Sequence, residues 1–261
     1  MNCDSHFSIG KSHMVCEDYA YAGINHNGNH VAIISDGCSS SDDTDFGARA
    51  FTRSAFNTGI DLEYSTSLYF RAERLLYNSL RDAVESVERL NLSRFCLDTT
   101  LFYLEEYRDY VNIITSGDGF VIAKSDDGRI SLWKIEYPSG APFYFSYSLD
   151  LSRENRYREE FGMNREITRY LIGDETTEMS ADQDAFGFKL PKDNYEFVAV
   201  CSDGIDTFDM PVVEVVKELS SFKNYTGEFV KRRVRAFLKK CRKNNINHSD
   251  DISMAAIHFG E

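Results

Sequence analysis

A single α+β domain is the fold class this sequence predicts, and three observations carry the expectation. Short apolar, β-branched runs alternate with longer segments of helical period; no Gly/Ser linker, composition shift or internal repeat divides the 261 residues; and 42% of residues are hydrophobic, with only 4 prolines and 16 glycines. A chain of this length can bury a sizeable core as one unit. Its composition excludes collagen-like, low-complexity and broadly disordered chains.

In chain order, Asn27-Gly28 lies between the apolar stretches of YAGINHNGNHVAIIS. That dipeptide predicts a type I′ hairpin, because both central positions need positive φ. Val31 to Ser35 is then a buried strand. The polar loop CSSSDDTD leads into a helix over 46–57 with Phe46, Ala50, Phe51 and Ala55 along one side. A longer helix is expected over about 68–90, where Leu76, Leu80, Ala83, Val84, Val87 and Leu90 recur at three- and four-residue steps. TTLFYLEEY, YVNIITS, FVIAKS and RISLWKIEY are rich in β-branched and aromatic residues and predict a four-strand antiparallel meander, its last turn at Asp126-Asp127-Gly128.

Residues 138–190 show no clear period, and a flap or insert of the single domain 1–261 is expected there. Within it PSGAPFYFSYSLD is aromatic, while RENRYREEFGMNREITRY is polar and suits a helix or an ordered flap. YEFVAVCS reads as a strand, PVVEVVKELS as a helix with Pro211 in its first turn, about 228–243 as a second helix, and ISMAAIHF as a closing strand.

Acidic residues outnumber basic ones, 42 to 29, for a net charge of −13. That average field disfavours nucleic acid and anionic membranes as partners. It also leaves room for a carboxylate ligand set around hard divalent cations. The six cysteines include no C-x-x-C pair, so structural zinc has no support and free thiols are expected. The opening MNCDSHFSIG lacks a signal pattern, and the longest apolar runs, 31–34 and 197–201, fall far short of the roughly 18 residues of a membrane helix. A soluble, cytoplasmic monomer is the expectation.

Three strand candidates end alike: VAIISDG at Asp36-Gly37, VNIITSGDG at Asp118-Gly119 and FVAVCSDG at Asp203-Gly204. An aspartate where a buried strand emerges is held rigidly, and the glycine after it lets a carbonyl or a metal-bound water approach without a Cβ in the way. Asp-Gly is also a hairpin dipeptide. The hairpin reading suits Asp127-Gly128, leaves Asp118-Gly119 open, and does not suit Asp36 or Asp203, which loop or helix follows. Glu17-Asp18 and Asp250-Asp251 add adjacent acidic pairs, whose repulsion fits either a shared cation or solvated loop positions. Together these acidic stations suit two or more oxygen-coordinated magnesium or manganese ions better than zinc.

The order GKSHMVCEDYA, VAIISDGCSSSDDTDFGARA, DTTLFYLEEY with IITSGDGFVIAKSDDG, FVAVCSDGIDTF and DDISMAAI resembles the metal-dependent serine/threonine protein phosphatases of type 2C, above all their bacterial branch, over about residues 6–259. The resemblance implies a four-layer αββα sandwich, two antiparallel sheets flanked by helices, with metals at one end. It implies that Asp36 bridges two metal ions and Gly37 lends its carbonyl, that Asp203 and Asp250 complete the first ion, and that Glu17 or Asp18 serves the second. Asp118 would hold a third with Asp203. The implied cofactor is Mg2+ or Mn2+, and the implied reaction is in-line hydrolysis of phosphoserine or phosphothreonine in a protein by a metal-bridged water, without a covalent intermediate. A phosphorylated protein is the expected substrate, with a serine/threonine kinase as a further partner.

Three positions depart from that pattern. His13 stands where many members carry a phosphate-gripping arginine, and imidazole lacks the planar fork of guanidinium. A protonated His13 or nearby Lys11 would then hold the phosphate, or affinity is lower, or His13 is simply a loop histidine. Cys38 replaces a histidine proposed as general acid in some members and reads as a small buried residue, which leaves protonation of the leaving group to metal-bound water. Asp251 stands where many relatives have asparagine. These departures support an alternative, a weak or inactive phosphatase-like module that binds phosphoprotein or a kinase. Gly10-Lys11-Ser12 imitates the end of a P-loop, but Ser5 occupies the position of its first glycine. KRRVRAFLKKCRK reads first as an amphipathic helix with a solvated cationic face and second as a dock for an acidic partner.

Overall fold

The structure, a computed structural model, describes residues 1–60, 67–173, 175–180 and 186–260. One sheet has seven strands in the spatial order β1 (Asn2–Ser8), β12 (Ile252–His258), β11 (Phe197–Cys201), β6 (Gly119–Lys124), β7 (Ile130–Glu136), β8 (Glu166–Ile172) and β9 (Thr176–Ser180). The other has five, in the order β10 (Gly187–Pro191), β5 (Tyr110–Ser116), β4 (Leu101–Tyr107), β3 (His30–Ser35) and β2 (Tyr19–Ile24). Every pairing is antiparallel.

The unbroken apolar runs explain the layers. In β3, Val31 and Ile33 pack towards α1 (Thr44–Thr58) and α2 (Leu68–Arg89), whereas Ala32 and Ile34 face the core between the sheets. In β11, Phe197, Ala199 and Cys201 pack towards α4 (Val212–Leu219) and α5 (Phe229–Lys243), whereas Val198 and Val200 enter the same central core. Strands covered on both faces have no solvent side on which to place polar residues, so alternation disappears from the sequence. The result is helix, sheet, sheet, helix, as the resemblance implied. A fifth described helix, α3 (Leu151–Phe161), carries one buried residue, Tyr157.

The expected four-strand meander is corrected: β4 and β5 pair in the smaller sheet, and β6 and β7 in the larger. The chain crosses between sheets at Gly117-Asp118-Gly119, where φ is +89° and +141° at the two glycines. A Cβ on Gly117 would lie 2.6 Å from Thr100 Cγ2, so the crossing needs glycine for space as well as conformation. Strand β1 carries no clear sequence signal, because NCDSHFS is half-buried throughout. It forms by pairing residue for residue with β12, from Asn2 opposite His258 to Ser8 opposite Ile252.

Within residues 138–190, the polar stretch holds both a helix, α3, and a strand, β8, while β10 joins the opposite sheet beside β5. Positions 174 and 181–185 of that stretch lie outside the described residues. Pro211 caps α4 instead of starting its first turn.

Glu105 is fully buried on β4 and stays soluble in the core through four donors. Asn25 and Asn29 reach Oε1 at 2.7 and 2.8 Å, and the Ile60 amide and Tyr103 hydroxyl reach Oε2 at 3.1 and 2.9 Å. This carboxylate therefore ties the β2–β3 hairpin to the segment after α1. Glu105→Gln puts an amide nitrogen against two donors and is expected to cost about 2 kcal/mol, read as a lower urea midpoint at unchanged slope.

Candidate active site

The site is assembled where β3, β5 and β11 end. Beyond β3 the chain stays zipped to residues 98–100. The Asp36 amide donates to Thr100 Oγ1 at 3.0 Å, the Thr100 amide returns to Asp36 O at 2.8 Å, and the Cys38 amide donates to Asp98 O at 2.9 Å. Asp36 is thus held on rigid backbone. At Gly37 a Cβ would lie 2.7 Å from Thr44 Cβ and 3.1 Å from Glu17 O, so glycine lets the loop carrying Glu17 and Asp18 close on β3. Gly204 is packed as tightly, since a Cβ there would overlap Asp251 O.

Asp36 lies within hydrogen-bonding reach of both Asp18 and Asp203. Asp18 is buried, and its Oδ2 accepts from Ser202 Oγ at 2.7 Å. Burial raises the carboxyl pKa of Asp36 well above the usual range, and the charges of Asp18 and Asp203 add to it. Burial likewise raises Asp18 and Asp203. At the sheet crossing, burial and the charge of Asp203 push Asp118 up to about 7. Asp250 acts on both Asp118 and Asp203. Five of the expected ligands, Asp18, Asp36, Asp118, Asp203 and Asp250, therefore share one electrostatic neighbourhood at one end of the sandwich.

Like charges at this density are unfavourable unless protons or cations neutralise them. Asp18 Oδ1 and Asp203 Oδ1 are buried without a hydrogen-bond partner. Orphaned hard oxygens beside raised carboxyls are the donor set a magnesium- or manganese-type ion requires. Among the described residues no three His, Cys, Asp or Glu side chains already enclose a single point as a metal cage. The carboxylates stand against one another instead.

Asp251 organises the loop before Asp18. Its buried Oδ1 accepts from the Gly10 amide at 2.7 Å and its Oδ2 from the Glu17 amide at 2.6 Å. His13 Nδ1 lies 3.0 Å from Asp251 Oδ2, with Asp250 Oδ1 3.5 Å from Nε2 and Glu17 Oε2 3.9 Å from Nδ1. Burial disfavours the imidazolium, but these three carboxylates outweigh it and raise the His13 pKa. Glu17 Oε1 also accepts from Thr44 Oγ1 at 3.1 Å. Lys11 is not brought into this cluster: its ammonium meets Asn247 Oδ1 in a side cleft of about 410 Å³ shared with Thr207, Asp209 and His248.

The protein phosphatase 2C family model matches residues 8–249, nearly the whole chain and up to the residue before Asp250. The chain belongs to the protein phosphatase 2C family. No curated protein sequence matches it. Among solved structures it is similar to the serine/threonine phosphatase Stp1 of Staphylococcus aureus, at 12% identity and TM-score 0.59, covering 99% of this chain and 95% of that one. The catalytic domain of PstP in complex with two manganese ions is similar at 13% identity and TM-score 0.53, covering 98% and 96%. The S. agalactiae serine/threonine phosphatase follows at 12% identity and TM-score 0.52, covering 99% of each chain. These likenesses establish the fold.

In this protein phosphatase 2C chain the rim of the site holds residues the sequence did not single out. Asp98, almost fully buried, receives Arg153 Nη2 at 2.8 Å and Nη1 at 3.2 Å, with Ser146 Oγ at 2.7 Å and Ser41 Oγ at 2.9 Å. The Arg153 guanidinium lies over the rings of Phe95 and Tyr147, 4.6 and 4.5 Å from their centroids. One carboxylate thus joins the loop after β3 to α3. Tyr144 is buried beside Cys38, which is half-buried and 3.0 Å from Ser40 Oγ, not the small buried residue expected. Burial, Cys38 and the charges of Asp36 and Asp118 all raise the Tyr144 pKa, which places this aromatic against the carboxylate cluster. No local pattern marks Asp98 or Ser202, since their partners lie 48 or more residues away.

Proposed function

We propose that the chain is a protein serine/threonine phosphatase that uses Mg2+ or Mn2+ to hydrolyse phosphoserine and phosphothreonine in another protein. The observation supporting this most is the convergence of Asp18, Asp36, Asp118 and Asp203, all with raised carboxyl pKa and two with orphaned oxygens. Family membership supports the same reading. In it Asp36 and the Gly37 carbonyl, with Asp203 and Asp250, hold one cation; Asp36 with Glu17 or Asp18 holds a second; Asp118 and Asp203 offer a place for a third. When bound, these cations supply a nucleophilic water at neutral pH and neutralise charge gathering on the phosphoryl oxygens.

The chain's own residues have distinct tasks. Asp251 holds the Gly10 and Glu17 amides, so the loop that presents Glu17, Asp18 and His13 is fixed before substrate arrives. His13, whose imidazolium the surrounding carboxylates favour, is assigned to the phosphate in place of arginine, and Lys11 stands in reserve at the edge. Tyr144 lies close enough to Asp36 and Asp118 for their charges to act on its hydroxyl. In this reading the protein acts as a cytoplasmic monomer opposite a serine/threonine kinase. No described helix is long and apolar enough to cross a membrane.

A manganese titration with p-nitrophenyl phosphate and a phosphothreonine peptide tests the reading. Turnover that rises with metal and is abolished by EDTA is expected. Calorimetric manganese binding with no hydrolysis of either substrate would overturn it.

A further inference from the structure

The strongest concentration of charge outside the carboxylate site has the opposite sign. Helix α5 carries eight basic residues and no acidic one in its 15 positions, although the chain as a whole carries −13. Its apolar side, with Val230, Val234, Phe237, Leu238 and Cys241, is buried against the larger sheet. Three of the basic residues have carboxylate partners: Lys231 pairs with Glu228 at 2.7 Å, and Glu218 takes Arg233 at 2.7 Å and Lys240 at 2.6 Å. Arg232 spends its guanidinium on the neutral oxygens of Asn224 and Thr226.

Arg235, Lys239, Arg242 and Lys243 are exposed and form no ion pair within 4.0 Å among the described residues, although Glu228 acts on Arg235 from farther off. With Arg232 they follow steps of three and four, so they form one outward stripe about 16 Å long at the helical rise. Helix stability does not account for it. Cations in the last turn favour the helix dipole, and at the N-terminus Glu228 pairs with Lys231 while Asp4 Oδ2 accepts from the Lys231 amide at 3.0 Å, but neither pairs with Arg235, Lys239, Arg242 or Lys243 within 4.0 Å.

The stripe also leads somewhere. From Lys243 the chain runs through 244–249 into Asp250. Arg242 and Lys11 both act electrostatically on His248, which stacks on Phe208 with ring centroids 4.7 Å apart. His248 lines the cleft that holds Lys11, Ser12 and Thr207, together with one acid, Asp209, whose carboxylate accepts from the Asn247 amide at 3.0 Å. Cationic side chains therefore stand on both sides of His248, Arg242 at the end of α5 and Lys11 at the edge of the loop carrying His13, while burial and these two charges lower the His248 pKa.

We propose that this ridge docks an acidic segment, a run of aspartate, glutamate or further phosphorylated residues, in the phosphoprotein whose phosphate enters the site. The proposal rests on the phosphatase reading above and names the substrate class that reading leaves open. A cationic ridge on an otherwise acidic protein selects by charge: it attracts an acidic segment while the rest of the surface repels one. The acidic segment holds the substrate on the ridge while its phosphorylated residue reaches the carboxylate end.

The test uses the full chain and the triple variant Arg235→Glu/Lys239→Glu/Arg242→Glu, with Arg235→Gln/Lys239→Gln/Arg242→Gln as a milder control should charge reversal impair folding. Three substrates are compared with manganese present: p-nitrophenyl phosphate, a phosphothreonine peptide flanked by glutamates, and the same peptide flanked by serines. For the acidic peptide kcat/KM is expected to fall about tenfold through KM, the sum of several exposed charge contacts. The other two substrates should keep their rates, and the wild-type preference for the acidic peptide should fade as salt rises from about 0.05 to 0.3 M. Binding of a fluorescent acidic peptide, read by anisotropy, reports docking without turnover. A chain that binds it through the ridge yet hydrolyses nothing would refute the phosphatase reading and keep the dock. Unchanged kinetics and unchanged anisotropy in both variants would overturn the proposal. So would ridge-dependent binding confined to duplex DNA, to phosphatidylserine vesicles or to a second copy of this chain.

Discussion

Asp36→Asn is expected to lower manganese-dependent hydrolysis of p-nitrophenyl phosphate by about 10³-fold or more while leaving the metal-free protein at least as stable as the wild type. The two halves share one cause. Asp36 lies between Asp18 and Asp203, so its carboxylate is the one both proposed cation positions would use and also the one most opposed by its neighbours. An amide of the same shape keeps the hydrogen-bonding oxygen and removes the repelling charge. The sign of the pH dependence follows from the same carboxyls. Burial first, and neighbouring charge second, raises Asp36 and Asp118 above ordinary carboxyl values, and burial raises Asp18 and Asp203 as well. Between about pH 4, where unfolded carboxyls release protons, and about 7, the value for Asp118, the native state holds more protons than the unfolded one. Metal-free stability must therefore fall as pH rises through that window. The slope should shrink in Asp36→Asn and when manganese is added to the wild type. Thermal unfolding in EDTA at stepped pH, paired with rate measurements, reads both halves. Undiminished hydrolysis by the variant, or metal-free stability that climbs with pH across the window, would sink the assignment.

Arg153→Met is expected to cost about 3 kcal/mol of stability. The change keeps an apolar stem between Phe95 and Tyr147 but takes the two guanidinium bonds from Asp98, leaving that buried carboxylate with two serine hydroxyls. Removing one member of a buried pair costs about 3–5 kcal/mol because the other charge is stranded. Arg153 is itself 25% exposed, which argues for the lower end. Asp98→Asn should cost less, since an asparagine oxygen still accepts and the Arg153 charge it leaves behind is better exposed than the Asp98 carboxylate. Urea unfolding of both single variants and the double variant gives the coupling: the double should be well short of the sum. A loss below about 1 kcal/mol in Arg153→Met would mean that the pair is not what holds α3 to the loop after β3.

What could be read from the sequence was what depends on near neighbours along the chain. The two amphipathic helices before β4 announce themselves by three- and four-residue steps, and the apolar runs VAIIS and FVAVC are strands in the structure, with Asp-Gly directly after the first and one residue beyond the second. The family resemblance added the layer order, which the unbroken apolar strands alone do not dictate. The meander failed for a physical reason. A hairpin and a crossing between sheets both use glycine at positive φ, and what separates them here is pairing with distant strands, β5 with β10 and β6 with β11. Strand β1 was illegible because its stability lies in pairing with β12, some 250 positions away.

Each acidic residue of the candidate site could be named from its place at a strand end, yet its environment could not. Only the tertiary structure set Asp251 across the Gly10 and Glu17 amides, ringed His13 with three carboxylates, and moved Lys11 aside to Asn247. It also brought Ser202 to Asp18 and Arg153 to Asp98. The sequence by itself therefore determined the residue types of an oxygen-rich, acidic site and the elements that carry them, because period and turn chemistry are local. Which carboxylates are buried, paired or orphaned was decided by folding. Desolvation and charge coupling depend on distance through space, and the chain brings those groups together only when both sheets have closed on a common core.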